Sequence, residues 1–254
     1  MSEFELCFRK SLILLSLRLL LKKFKSVRAL YTSLTQFGGE KSKEFSYPQF
    51  SRYLKAEVTI PLNKEGIYLD FLKNELDIEE DLILPYIEVD QRLTPLLIDL
   101  SSLLSYPERV NLLVFHTLER KMVPQNKYDA ILTHPEAVPI AIAFSTMMRI
   151  PWSSISFRPP NQPPSRFRSY PYFIDNELIS QVYFTSRNVD IRGKKLLLIS
   201  DYIRRGGFID LLLKITEEQD AYIHFFYAVL GIGTDWRRLA RSLNGNLAVG
   251  HSIN

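Results

Sequence analysis

The densest chemistry in the 254-residue chain lies between Lys195 and Phe208. Leu196, Leu197, Leu198 and Ile199 form an apolar run that ends on Ser200 and Asp201. Tyr202, Ile203, Arg204 and Arg205 follow, then Gly206, Gly207 and an apolar segment with helical spacing. A continuously apolar run is what a strand covered on both faces requires. Ligands of open α/β sheets sit at the carboxyl ends of such strands. Glycines let backbone N–H groups approach an anion, and the dipole of a following helix adds to the attraction. The segment therefore suits a phosphate held by Arg204, Arg205, Gly206 and Gly207, with a sugar hydroxyl pair on Asp201.

This run resembles the signature of the type I phosphoribosyltransferases. In that family a hydrophobic strand enters two adjacent acids, two hydrophobic residues, a Thr or small pair, Gly-Gly and Thr. Residues 196–208 match it at the same spacing without a gap. The resemblance implies that the position of Asp201 grips ribose hydroxyls of phosphoribosyl pyrophosphate and that the glycine loop holds the 5-phosphate. It implies Mg²⁺ as the companion of that substrate if the site is active. Upstream, Asp129 to Pro139 is similar to the family's pyrophosphate loop, with His134 and Glu136 inside it. Arg158 matches the basic residue after the next strand, and 160–186 the flexible, hairpin-like loop. The resemblance covers about 105–254.

The departures from that pattern fall on the chemistry. Ser200 stands where the first acid belongs, and it supplies no carboxylate for positive charge developing on a ribosyl ring. Arg204 and Arg205 replace the small pair, and Phe208 replaces the closing Thr. Val138-Pro139 lies where the pyrophosphate loop has glycine, and proline removes an N–H donor. These changes weigh against catalysis and keep anion binding, with Arg205 offering a charge-assisted contact in place of a hydroxyl. The competing reading is that Arg204 and Arg205 point to solvent. If the site is active, Asp201 and Ser200 are its catalytic candidates.

Elements must position these residues. Strand-like segments at 128–133, 153–157, 195–200, 221–230 and 247–250 alternate with helix-like ones at 110–121, 139–149, 207–216 and 236–243. That alternation predicts an α/β domain with a parallel sheet covered on both faces. A Pro-rich, aromatic excursion lies between Arg158 and Arg187; so long an insertion is usually functional or mobile.

The front of the chain differs. Residues 1–55 carry eleven Lys/Arg against four acids, whereas the remainder holds 21 basic and 24 acidic groups. The spacing predicts one helical run over 8–37 with Leu12, Leu15, Leu19 and Phe24 on one side, closed by Gly38-Gly39. Ser46 then caps a helix at 47–54 with Pro48 in its first turn. Asn63-Lys64-Glu65-Gly66 reads as a turn before another helix at 67–76. Residues 1–75 thus form a small helical domain. It resembles the helix-turn-helix units that precede the transferase domain in some archaeal phosphoribosyltransferase-like proteins. The resemblance implies binding to double-stranded DNA, with Lys22, Lys25, Arg28, Arg52 and Lys55 as phosphate contacts. A helical lid or a dimerisation domain is the alternative. Residues 76–104 read as an acidic connector, overlapping a run over 75–90 that holds seven acids and no Lys or Arg.

Other chemistries find little footing. Cys7 is the single cysteine, so no internal disulfide or CxxC metal site is possible. The four histidines lack partners at ligand spacing, and His116 and His224 read as structural. Trp152 and Trp236 read as packing residues, Trp236 alternatively as the edge of a base pocket. There is no GxSxG or GxxxxGK[ST] run. The apolar stretch 12–21 is too short for a bilayer span, and the setting expected is cytoplasmic. Three functions follow: a nucleotide- or phosphoribosyl pyrophosphate-sensing DNA-binding regulator; an active purine or pyrimidine phosphoribosyltransferase with an atypical site; or a non-catalytic subunit of an active paralogue. A homodimer is expected by resemblance.

Overall fold

The computed structural model describes residues 3–42, 45–90, 97–125, 128–159, 161, 167–174, 177–184, 190–203, 208–234 and 236–253. Backbone contacts divide the chain into a helical unit, 1–82, and an α/β unit, 83–254.

The helical unit contains α1 (Glu3–Phe24), α2 (Val27–Gly38), α3 (Tyr47–Leu54) and α4 (Leu62–Glu75). The single run expected over 8–37 is broken. Lys25 takes a left-handed φ of 61°, and Ser26 caps α2 by accepting from Ala29 N–H. The buried side of α1 is Leu12, Ile13, Ser16, Leu17 and Leu20, not the Leu15–Leu19–Phe24 side. Leucine occurs all round this helix, so leucine spacing alone does not choose the face. Ser46 caps α3 as expected, accepting from Gln49 N–H at 3.4 Å. The turn expected at Asn63–Gly66 is instead the first part of α4. Pro61 precedes that helix, Lys64 N–H donates to the Pro61 carbonyl, and a Cβ at Gly66 would meet open space. Phe45 and Phe50 stack on Tyr68, and Tyr53 meets the same ring edge-on, all four buried in the interior.

The acidic run is not a plain solvated connector. It closes α4 and forms a wide helical turn, Ile78–Ile83, with Leu76, Ile78, Leu82 and Ile83 buried. Its acids cap that turn: Asp77 accepts from Glu80 N–H, and Asp81 from Asp77 N–H.

The α/β unit opens with a small antiparallel pair, β1 (Glu88–Asp90) and β2 (Leu97–Asp99). Helices α5 (Ser101–Leu104) and α6 (Pro107–Glu119) follow. The main sheet is wholly parallel, with β4 (Trp152–Ser154), β3 (Ala130–Thr133), β7 (Lys195–Ile203), β8 (Tyr222–Ile232) and β9 (Leu247–Ile253) side by side in that order. Helices α7 (Val138–Met148), α8 (Phe208–Glu218) and α9 (Trp236–Ser242) connect them. Each expected strand and helix is present with ends shifted by a few residues. Leu196, Leu197, Leu198 and Ile199 are all fully buried, and burial of each such side chain contributes about 1.5–3 kcal/mol. Alternate strand residues supply two cores. Leu132, Leu198 and Phe226 face a cluster with Leu212 and Ile215 of α8. On the other side the Tyr227 ring meets Phe144 of α7, and its hydroxyl lies 3.3 Å from Thr117 Oγ1 of α6.

The excursion before β7 forms an antiparallel hairpin, β5 (Arg168–Ile174) and β6 (Glu177–Phe184). Two contacts tie it down. Ser156 and Tyr183 exchange backbone hydrogen bonds, and Glu218 of α8 accepts from both Arg168 and Tyr170. Residues 160 and 162–166 of the Pro-rich stretch lie outside the described residues.

Candidate functional site

The order of the strands creates the site. From β3 the chain passes outward to β4, then returns across to β7 on the opposite side of β3. The connections leave β3 and β7 in opposite directions, which opens a crevice at their carboxyl ends. Thr133 and Ile199 pair at this end, and Thr133 Oγ1 donates to the Ile199 carbonyl at 2.8 Å. The next residues on the two strands are His134 and Ser200.

His134, Glu136, Ser200 and Asp201 form one cluster there. His134 Nδ1 lies 2.9 Å from Glu136 Oε2. Its Nε2 lies 2.9 Å from Ser200 Oγ and 3.0 Å from Asp201 Oδ1. Tyr202 N–H also donates to Asp201 Oδ1, at 2.7 Å, and the Ser200 hydroxyl donates to the Tyr202 carbonyl. His134 and Ser200 are 1% exposed and Asp201 is 5% exposed. Glu136 retains 47% side-chain exposure. Burial alone would lower the His134 pKa, but the hydrogen bonds to Asp201 and Glu136 outweigh it and push the imidazole up to about 9. His134 is therefore an imidazolium at neutral pH, donating from both nitrogens. The same contact holds the Glu136 carboxyl below its usual range.

Of the expected site residues, four meet: His134, Glu136, Ser200 and Asp201. Arg158 is exposed beyond β4, where its backbone N–H donates to Ser156 Oγ. Arg204, Arg205, Gly206 and Gly207 lie outside the described residues. Spacing did not reveal that His134 reaches across to Asp201, since no local pattern joins positions so far apart in the chain. His116 is buried in α6, while His224 is only half-buried, edge-on to the Tyr128 ring. The Trp236 indole packs on Gly231 of β8. No group of three or more His, Cys, Asp and Glu among the described residues could hold a metal ion. No helix among them is long and apolar enough to cross a membrane.

The basic candidates of the helical unit divide into two sets. Lys22, Lys25 and Arg28 are exposed around the break between α1 and α2. Arg52 and Lys55 are exposed too, but both face Glu57, at 3.5 and 4.0 Å. Two further basic residues of α1 serve the fold. Arg18 Nε donates to the Leu54 carbonyl at the end of α3, and Lys23 Nζ to the Glu75 carbonyl at the end of α4.

No family model matches the sequence, and no curated protein does. Solved structures match the fold. The adenine phosphoribosyltransferase of Thermoanaerobacter pseudethanolicus superposes with a TM-score of 0.54 at 14% identity, covering 69% of this chain and 99% of that one. The Leishmania donovani enzyme gives 0.52 at 16% identity, over 67% of this chain and 78% of its own. The Saccharomyces cerevisiae enzyme, solved with adenine and an imino-altritol bisphosphate, gives 0.52 at 13%, over 66% and 96%. A crevice between β3 and β7, lined by the strand-end acid Asp201, thus sits on a type I phosphoribosyltransferase-like fold.

Proposed function

We propose that the α/β unit binds a phosphorylated ribose, as a nucleotide or phosphoribosyl pyrophosphate, at the β3–β7 crevice and does not transfer it. The observation that carries this reading is the His134–Asp201 pair. Asp201 is the one acid of the strand-end motif, and a buried imidazolium already compensates its charge. A ribosyl ring acquiring positive charge would meet that cation as well as the carboxylate, so the electrostatic gain of transfer is cancelled. Ground-state binding keeps its means. Among the described residues the contacts of Asp201 fall on Oδ1, so Oδ2 is the acceptor for a sugar hydroxyl. Gly206 and Gly207, ahead of α8, supply the phosphate end in this reading. Calorimetry of the full chain with nucleotides and phosphoribosyl pyrophosphate, beside a turnover assay over a panel of bases, tests it. Binding without turnover is expected. Turnover that Asp201→Asn abolishes would establish the transferase reading instead.

The exposed trio Lys22, Lys25 and Arg28 favours a second activity for the helical unit, binding to the phosphates of double-stranded DNA. Together the two activities make a ligand-sensing regulator of the cytoplasm.

A further inference from the structure

The resemblance drawn from the sequence implies a metal-bound diphosphate at the loop after β3. The residues of that loop do not fit one. An anion cradle needs free backbone N–H groups. Pro135 and Pro139 have none. Ala137 N–H donates to the His134 carbonyl, and Val138 N–H to the Pro135 carbonyl. Glu136 N–H faces its own carboxylate. Among residues 135–139 that N–H is thus the one donor not bonded to another residue, and the carboxylate beside it competes with any anion. The charged group that this loop does present is the half-exposed Glu136 carboxylate, which repels an anion. The nearby cation, His134, is buried, with both ring nitrogens directed at protein acceptors.

We infer that the crevice accepts a ribose 5-monophosphate group and excludes the diphosphate together with its metal ion. The ligand class is then a ribose 5-phosphate or nucleoside 5′-monophosphate, bound without Mg²⁺. This inference rests on the phosphorylated-ribose reading above and narrows it.

Two probes that differ only in the diphosphate decide it: ribose 5-phosphate and phosphoribosyl pyrophosphate, each titrated into the full chain by calorimetry with and without Mg²⁺. Ribose 5-phosphate should bind about tenfold or more tightly than the diphosphate sugar, with Mg²⁺ leaving the order unchanged. Tighter, Mg²⁺-dependent binding of phosphoribosyl pyrophosphate would overturn the inference while preserving the broader reading. Silence from both sugars would sink the broader reading. A titration with Mg²⁺ and inorganic pyrophosphate, followed through the His134 imidazole resonances, then decides the exclusion by itself: a saturable shift overturns it. Glu136→Gln tests the cause. Its side chain is half-exposed, so the fold should tolerate the change, and the gap between the two sugars should narrow several-fold. An unchanged gap would overturn the assignment of the exclusion to the Glu136 carboxylate.

Discussion

The His134 imidazole, just past the end of β3, and the Asp201 carboxylate of the adjacent β7 lie 3.0 Å apart, both almost wholly buried. The pair links the crevice to the stability of the α/β unit. Its imidazole is raised from 6.5 to about 9 in the folded protein. A raised value stabilises the fold fully below pH 6.5, and the contribution is lost as pH rises through about 9. The shift corresponds to on the order of 3 kcal/mol. Thermal unfolding measured from pH 6 to 10 should therefore show a fall in Tm across this window that His134→Gln flattens. Parallel curves for the two proteins would refute the linkage.

Asp201→Asn removes the charge and keeps the shape. Without the carboxylate the imidazolium loses the larger of its two supports, so His134 should titrate at a lower pH. Binding of ribose 5-phosphate should weaken about tenfold or more, since a charge-assisted hydroxyl contact goes with it. Imidazole NMR reads the first effect and calorimetry the second. An unmoved His134 titration would show that Glu136 alone sustains the cation.

The sheet was legible because its signal is local. Four apolar residues ending on Ser200 and Asp201 announce a doubly covered strand whatever surrounds them. His134 was legible as a residue worth testing, but its bond to Asp201 was not, because strand order sets that pairing. The break at Lys25 leaves no mark in the sequence because an apolar helix of mixed leucines continues the helical spacing through it. Arg18 reads as one more surface cation on α1, yet it closes α3 through the Leu54 carbonyl, a contact that only tertiary packing creates.

Arg18→Ala and the Lys22, Lys25, Arg28 substitutions should therefore separate fold from function. Loss of the Arg18 bond to the α3 terminus should cost about 1 kcal/mol of stability. Neutralising Lys22, Lys25 and Arg28 to Gln should leave stability within about 0.5 kcal/mol, as for other exposed positions. The same triple change should weaken binding to duplex DNA and lower the slope of log K against log salt by about one per cation removed. Duplex binding whose salt slope is untouched by the triple change would place the interface elsewhere.

Gly231→Ala probes the packing beside the crevice. Gly231 of β8 pairs with Ile203, the last residue of β7. A Cβ there would meet Trp236 Nε1 at 2.8 Å and Val249 Cγ1 at 3.1 Å. A second indole atom, Trp236 Cε2, would stand 2.9 Å away, and the other neighbour is a β-branched side chain in the sheet, so relief requires movement of α9 or β9. Overpacking of this kind costs about 1–3 kcal/mol. Trp236→Leu in the Gly231→Ala background should return part of the loss, because the shorter side chain vacates the clash. Measured denaturation midpoints should thus rank wild type above the double variant and the double variant above Gly231→Ala. If Trp236 instead lines a base pocket, Trp236→Leu alone would reduce the affinity for nucleoside monophosphates while leaving that for ribose 5-phosphate unchanged. Packing predicts equal effects on both.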